Sequence, residues 1–299
     1  MSDAEARATF QRIRWDDNGG EPYCPKCGCL KVYAYATRPV WKCSACKYQF
    51  SVTAGTIFDN RKLSIRDYLL AIAIFANGAK GHSALQLSRD LDCQYRTAFV
   101  LAHKLREAMG ATLGGSELSG TVEVDGAYFG GHVKPENRKE NRKDRRLADE
   151  QTGKRKVVVV MRERGGRTLP FVFQKESQGV ATIRKHVASG TTLHADESAA
   201  WDILHASYDT KRINHSVAFS KDGACTNQAE SYFARLRRSE IGVHHRISGA
   251  YLNAYANEMA WREDHRRIPN GAAYQAITAA ALNHPKSPQW RGYWQRSAA

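Results

Sequence analysis

The sequence predicts an α/β protein whose principal domain is a mixed sheet covered by helices, preceded by a small cysteine-rich module and a small helical one. Three observations carry that expectation. Between residues 118 and 266, runs with the two-residue period of strands alternate with helical stretches. Between residues 62 and 113 nearly everything reads as helix. Ahead of both stand two Cys-x-x-Cys pairs. The 299 residues suffice for about two domains and a real core, and 42 % apolar residues exclude a disordered chain.

The cysteine module comes first. Cys24-Pro-Lys-Cys27 and Cys43-Ser-Ala-Cys46 are separated by 15 residues, a spacing that reads as zinc-binding. Two residues between cysteines let a tight turn present both thiolates to one metal. Two such turns complete the closed tetrahedral shell of a structural zinc ion. Cys29 breaks the spacing and reads as a bystander. Cys93 and Cys225 stand alone and read as small buried residues. Tyr33, Tyr35, Arg38, Trp41 and Lys42 suit either nucleic-acid contact or the core of so small a module. Trp41 and Tyr33 weigh toward core.

The helical module follows. Ile65 to Ala76 is an apolar, buried helix. Ser83 to Leu91 places Leu87 and Leu91 on one face, and Gln94 to Met109 is a longer helix with Arg96, His103, Lys104 and Arg106 among its polar residues. The pair has the outline of a helix-turn-helix, which either enters a major groove or serves as a helical linker.

A Gly-rich joint, Leu113 to Ser119, leads into the sheet region. Strands are expected at Thr121 to Phe129, Lys156 to Arg162, Thr168 to Gln174 and Thr191 to Ala195, with a last short one at Lys211 to His215. Arg164-Gly-Gly-Arg167 is a hairpin turn. Helices are expected near Val180 to Ala188, Ala199 to Tyr208 and from Thr226 onward. The tail from Arg267 holds one helix, Ala272 to Leu282, and a segment with Trp290 and Trp294.

Charge narrows the partners. Lys and Arg outnumber Asp and Glu by 45 to 30, for a net charge of +15 and a pI of about 9.6. A polyanion is implied, nucleic acid before an anionic membrane surface. Met1 to Gln11 lacks an apolar signal core, and no stretch approaches the ~18 apolar residues of a membrane span, so a cytoplasmic protein is expected. Residues 132–156 carry ten basic residues against five acids, densest at Asn137 to Arg146. They form either a solvated loop or a phosphate clamp. The clamp is favoured, with Arg142, Lys143, Arg145 and Arg146 as candidate DNA contacts.

Three acids stand out by position. Strand alternation places Val122 and Val124 on one face and Glu123 and Asp125 on the other. Asp196 ends the strand Thr192-Leu-His-Ala, where sites collect in open α/β sheets. Glu230 sits on a helix with Asn227 three residues before it and Arg237 seven after, on the same face. Carboxylates are the natural holders of hard divalent cations. Two such cations about 3.5–4 Å apart can clamp the attacking and leaving oxygens of a phosphodiester. An arginine two turns along could grip a phosphate. On spacing alone, ordinary surface acids remain the simpler account.

Val-Asp125-Gly-Ala-Tyr-Phe-Gly-Gly, His-Ala-Asp196-Glu-Ser-Ala-Ala-Trp and Thr-Asn-Gln-Ala-Glu230-Ser-Tyr-Phe-Ala-Arg-Leu-Arg237-Arg resemble the three catalytic blocks of DDE transposases. The likeness is to bacterial insertion-sequence transposases with an N-terminal zinc ribbon, the ISXO-like lineage. Gly242-Val-His-His-Arg-Ile-Ser and Tyr255-Ala-Asn-Glu258-Met-Ala-Trp-Arg262 resemble that family's downstream helix.

The resemblance implies a ribonuclease-H-like mixed-sheet catalytic core at 116–266. It follows a zinc ribbon at 1–56 and a helix-turn-helix-like domain at 57–115, with a C-terminal tail at 267–299. It implies Asp125, Asp196 and Glu230 as catalytic residues holding two Mg²⁺ or Mn²⁺ ions. Asn227 competes for the third position or supports it. Arg237, with Arg238 beside it, falls where relatives often have a Lys that contacts the element end. Gly126 departs from the pattern, since relatives often have Glu there. The implied activity is cleavage at the terminal inverted repeats of a mobile element and joining of the 3′-hydroxyl to target double-stranded DNA, by a homo-oligomer. The alternatives are a zinc-ribbon regulator derived from a transposase and a nuclease without strand transfer.

Overall fold

The computed structural model describes residues 1–115, 117–130, 136–143, 153, 155–213 and 225–296. The chain forms two compact units, Met1–Thr112 with Arg267–Ala299, and Leu113–Arg266.

The first unit opens with α1 (Asp3–Arg14). Its start is a reciprocal cap, in which the Ser2 hydroxyl accepts the Glu5 amide and the Glu5 carboxylate accepts the Ser2 amide. Ala6, Phe10 and Arg14, four apart, form its buried stripe. Strands β1 (Val32–Ala34), β2 (Trp41–Cys43) and β3 (Gln49–Phe50) make a three-stranded antiparallel sheet. Its core is aromatic: Trp41 meets Trp15 edge-on at 5.5 Å and stacks on Phe50 at 5.9 Å. Tyr33, expected in that core, is 55 % exposed. It pairs in register with Lys42 and so shares the outward face of the sheet, while Trp41 and Cys43 turn inward.

The helices α2 (Ile65–Asn77), α3 (Ala84–Asp90) and α4 (Tyr95–Ala111) follow. Ser64 and Ser83 cap the first two by accepting the amides of Asp67 and Gln86. Asp92, with φ 45°, turns the chain between α3 and α4. Two polar residues of α4 are core residues. His103 stacks on Trp290 at 4.3 Å, and Arg106 lies 5.4 Å over the Phe75 ring and donates to the His82 carbonyl.

The second unit contains β4 (Thr121–Gly130), β5 (Arg155–Glu163), β6 (Thr168–Phe173), α5 (Val180–His186), β7 (Thr192–Ala195), β8 (Asp209–Arg212), α6 (Asn227–Ser239) and α7 (Leu252–Asp264). The sheet order is β6-β5-β4-β7-β8, with β4, β5 and β6 antiparallel in turn and β7 and β8 parallel to β4 and β7. This is the mixed sheet expected from the alternation of strands and helices. β8 begins two residues before the expected strand, because the ladder with β7 pairs Thr192 with Asp209. Residues Ala199–Ala206 form a 3₁₀ helix.

Helices cover both faces of this sheet. On the Glu123–Asp125 face, Phe233 of α6 meets Phe129 at 6.2 Å. Asp264, closing α7, accepts from Arg162 and from the amide and hydroxyl of Thr168. On the opposite face, a Cβ on Gly179, at the head of α5, would touch Val159 at 3.2 Å.

The last segment, α8 (Asn270–Asn283) and α9 (Tyr293–Arg296), returns to the first unit. There α8 packs on α1, α2 and α4. The residues expected as a tail thus share a core with the ribbon and the helical region. Among the described residues, no helix is long and apolar enough to cross a membrane.

A candidate carboxylate site and a candidate zinc centre

The register of two parallel strands sets the first pair of acids side by side. Val124 of β4 pairs with Ala195 of β7, so the next residues along, Asp125 and Asp196, fall on neighbouring strands about 4.8 Å apart. Asp125 accepts the Gly126 amide at 2.7 Å. Asp196 is oriented through one oxygen, which accepts Trp201 Nε1 at 2.7 Å and the Ser198 amide at 3.3 Å. The buried Trp201 ring thus fixes the rotamer of the acid.

Burial pushes the Asp125 carboxyl up to about 7, and the charges of Asp196, Glu230 and Glu176 push the same way against the Gly126 amide. These carboxylates therefore share one electrostatic neighbourhood. No three of their oxygens close to within 4.8 Å of one another among the described residues, unlike the cysteines described below. The all-oxygen donor set and its mutual repulsion fit divalent Mg²⁺ or Mn²⁺.

Glu230 is half-buried on α6. Asn227 and Arg237 belong to the same helix and both are exposed, with Arg237 about 10 Å along the axis from Glu230. Arg238 is exposed beside it. Of the expected basic clamp, Arg142 and Lys143 are exposed, and Arg142 Nε donates to the Glu136 carbonyl. Arg145 and Arg146 lie outside the described residues.

Two acids that sequence reasoning passed over shape this site. Glu123 is fully buried, and one of its oxygens accepts the amides of Gln228 and Ala229 at 2.8 and 3.1 Å. The other oxygen accepts Arg164 Nε at 2.9 Å. The carboxylate therefore sits at the positive end of α6 and anchors the helix that carries Glu230. Arg164 also reaches Nδ1 of His194. Burial, and then the Arg164 charge, lower the His194 pKa, so Nδ1 accepts the Cys225 amide at 3.1 Å. An acid inside the run Val-Glu123-Val was the available clue, because a buried carboxylate needs partners.

Glu176 is the second. It follows β6, and its Oε2 accepts the Ser198 hydroxyl at 2.8 Å. A Cβ on Gly126 would come within 2.8 Å of Glu176 Oε1 and 2.9 Å of its Cγ. Gly126 thus leaves the space that Glu176 fills. No sequence pattern marks this residue.

The cysteine cluster is compact. Sγ of Cys24 lies 3.6 Å from that of Cys46, and Cys27 lies 3.6 Å from Cys43 and 3.5 Å from Cys46. Four sulfurs about 2.3 Å from a tetrahedral zinc would stand about 3.8 Å apart, so the set fits that ion. Gly28 and Lys47, each just after a second cysteine, have φ of 72° and 58°, which turns the chain back under each knuckle. Cys29 is outside the set and faces Ser44 Oγ at 3.5 Å.

Comparison with known proteins agrees with this architecture. An ISXO2-like transposase domain matches residues 117–264, and a transposase zinc-ribbon domain matches residues 1–49. A protein described as uncharacterized in transposable element ISH50 of Halobacterium salinarum is 25 % identical over 295 residues, 94 % of this chain and 98 % of its own length. Two structures of Mos1, a strand transfer complex and a pre-cleavage transpososome, align at 10 % identity. They cover 71 % and 70 % of this chain and 78 % of each of theirs, with TM-scores of 0.28 and 0.26. Overlaps so slight add nothing to the strand order above.

Proposed function

Because this chain belongs to the ISXO2-like transposase family of insertion sequences, we propose that it is a DDE transposase that cuts DNA at an element's terminal inverted repeats and joins the freed 3′-hydroxyl to target DNA. The observation that supports this best is the side-by-side placement of Asp125 and Asp196 on parallel strands, with Glu230 acting on the same carboxyl from α6. Asp125, Asp196 and Glu230 would hold two Mg²⁺ or Mn²⁺ ions, which when bound activate the attacking oxygen and stabilise the leaving one.

The protein's own groups do the rest. Trp201 and the Ser198 amide hold Asp196 in one rotamer. Glu123 fixes the first turn of α6, and with it the height of Glu230 above the sheet. Glu230 is read as the third ligand, a carboxylate being the better donor to a hard cation, with Asn227 supporting it from the turn before. Arg237 and Arg238 would grip phosphates of the element end, and Arg142, Lys143, Arg145 and Arg146 would extend that grip. Two element ends brought together would be held by at least two copies of the chain on DNA.

The test uses purified protein, labelled DNA carrying the element ends, and Mg²⁺, with Asp196→Asn alongside. Cleaved and joined products that disappear in the variant are the expected result. Cleavage without joining would replace the transposase by a nuclease. Zinc-dependent, salt-sensitive binding with no cleavage would replace it by a regulator.

A further inference from the structure

The first unit holds a cleft of about 700 Å³, within the size range of ligand pockets. It lies between the N-terminal half of α4 and the segment that leads into α9. Neither the carboxylate site nor the zinc centre uses it. Its charge is one-sided: Lys62, Arg96, Lys104 and Arg291 line it, and its one acid, Asp59, is bound by Lys286. Lys104 is half-buried there; burial lowers its pKa, against the charges of Asp59 and Glu107, which raise it.

The aromatic side of the cleft is equally built. Trp290 is 3 % exposed and anchors the segment against His103 and Phe99 of α4. Tyr293 and Trp294 remain half-exposed. Trp294 is held in place by donating from Nε1 to the Arg96 carbonyl at 3.2 Å, while the Arg96 guanidinium lies 5.1 Å over its ring. A fixed, half-open indole beside several cations offers what a single nucleic-acid strand needs, a stacking surface for a base and positive charge for successive phosphates.

We propose that this cleft binds an unpaired stretch of single-stranded DNA, one base stacking on Trp294 and the flanking phosphates lying along Arg96, Lys62 and Arg291. The inference rests on the reading of the chain as a DNA-acting enzyme. Four cations around one cleft exceed the need of a single phosphate, which favours a strand over a free nucleotide.

Titration of the full zinc-loaded chain with a short oligothymidylate, read by tryptophan fluorescence, tests it. The expected result is quenching by the strand, with much weaker effects from a duplex of the same length or from AMP. Trp294→Leu should abolish the quench and weaken binding by about tenfold or more. Lys62→Glu with Arg291→Glu changes exposed residues only and should fold. It should lower the salt slope by about 0.7 for each phosphate that is no longer neutralised. AMP binding as tightly as the strand would overturn the proposal, as would duplex binding equally well or strand binding indifferent to both variants. The two readings fail separately. An Asp196→Asn chain that no longer cuts yet still quenches keeps the cleft, and a wild-type chain that cuts without quenching loses it.

Discussion

The carboxylate of Glu123, buried within the sheet, accepts the backbone amide of Gln228 at 2.8 Å, so the strand that carries Asp125 also holds the first turn of the helix that carries Glu230. Two of the three proposed catalytic acids are thereby referenced to one strand. Glu123→Gln keeps the shape and removes the charge. It should cost about 1–3 kcal/mol in denaturant unfolding, since amides of α6 and Arg164 each lose part of their acceptor. Cleavage should fall further than stability explains, with binding of element-end DNA unchanged. Cleavage at the wild-type rate would show that α6 is held elsewhere.

The contact between Gly126 and Glu176 makes a sharper case. Gly126→Ala puts a methyl group within 2.8 Å of the Glu176 carboxylate, which must leave Ser198 to make room. A loss of about 1–3 kcal/mol is expected for the single change. In the pair Gly126→Ala with Glu176→Ala, most of that loss should return. A double-mutant cycle in urea gives the coupling, and additive effects would mean that the two residues do not compete for space.

Asp125 sets a pH dependence. Its folded pKa of about 7 lies above the unfolded value of 3.8, so between those values the folded chain binds a proton that the unfolded chain does not. Stability of the metal-free protein should therefore fall as pH rises from about 4 to about 7, by at most about 4 kcal/mol from this group. Asp125→Asn should flatten that slope. Divalent metal should oppose it, raising Tm more at pH 8 than at pH 5. A wild-type slope no steeper than that of the variant would remove Asp125 as its source.

How far the sequence reveals this molecule depends on the range of the interaction involved. The strands and the acids Asp125 and Asp196 are legible because alternation and strand ends are local patterns, and the sheet then pairs them. Glu123 is not, because its partners Arg164 and Gln228 lie 41 and 105 residues away. Glu176 is hidden because its place depends on a missing side chain at Gly126. Arg106 and His103 look like a polar helix face until the folded chain sets Phe75 and Trp290 against them. α1 did carry a local mark, the Ser2-x-x-Glu5 cap followed by Ala6 and Phe10, which reading Met1 to Gln11 for charge alone overlooks.

Zinc removal should act on the first unit alone. The ribbon's own core is little more than Trp15, Trp41 and Phe50, too small to order the knuckles without their metal. The Tyr48 amide lowers the Cys46 thiol to about 7 against the effect of burial, whereas Cys27, hydrogen-bonded by its neighbouring thiols, is raised. Chelation, or Cys43→Ser, should release one zinc per chain and shift tryptophan emission to the red as Trp15 and Trp41 meet water. The sheet of the second unit holds none of these cysteines, so its unfolding transition should persist. If chelation unfolded both units in one step, the ribbon would be supporting the whole chain. If emission and zinc content stayed unchanged in Cys43→Ser, the four-sulfur centre would be wrong.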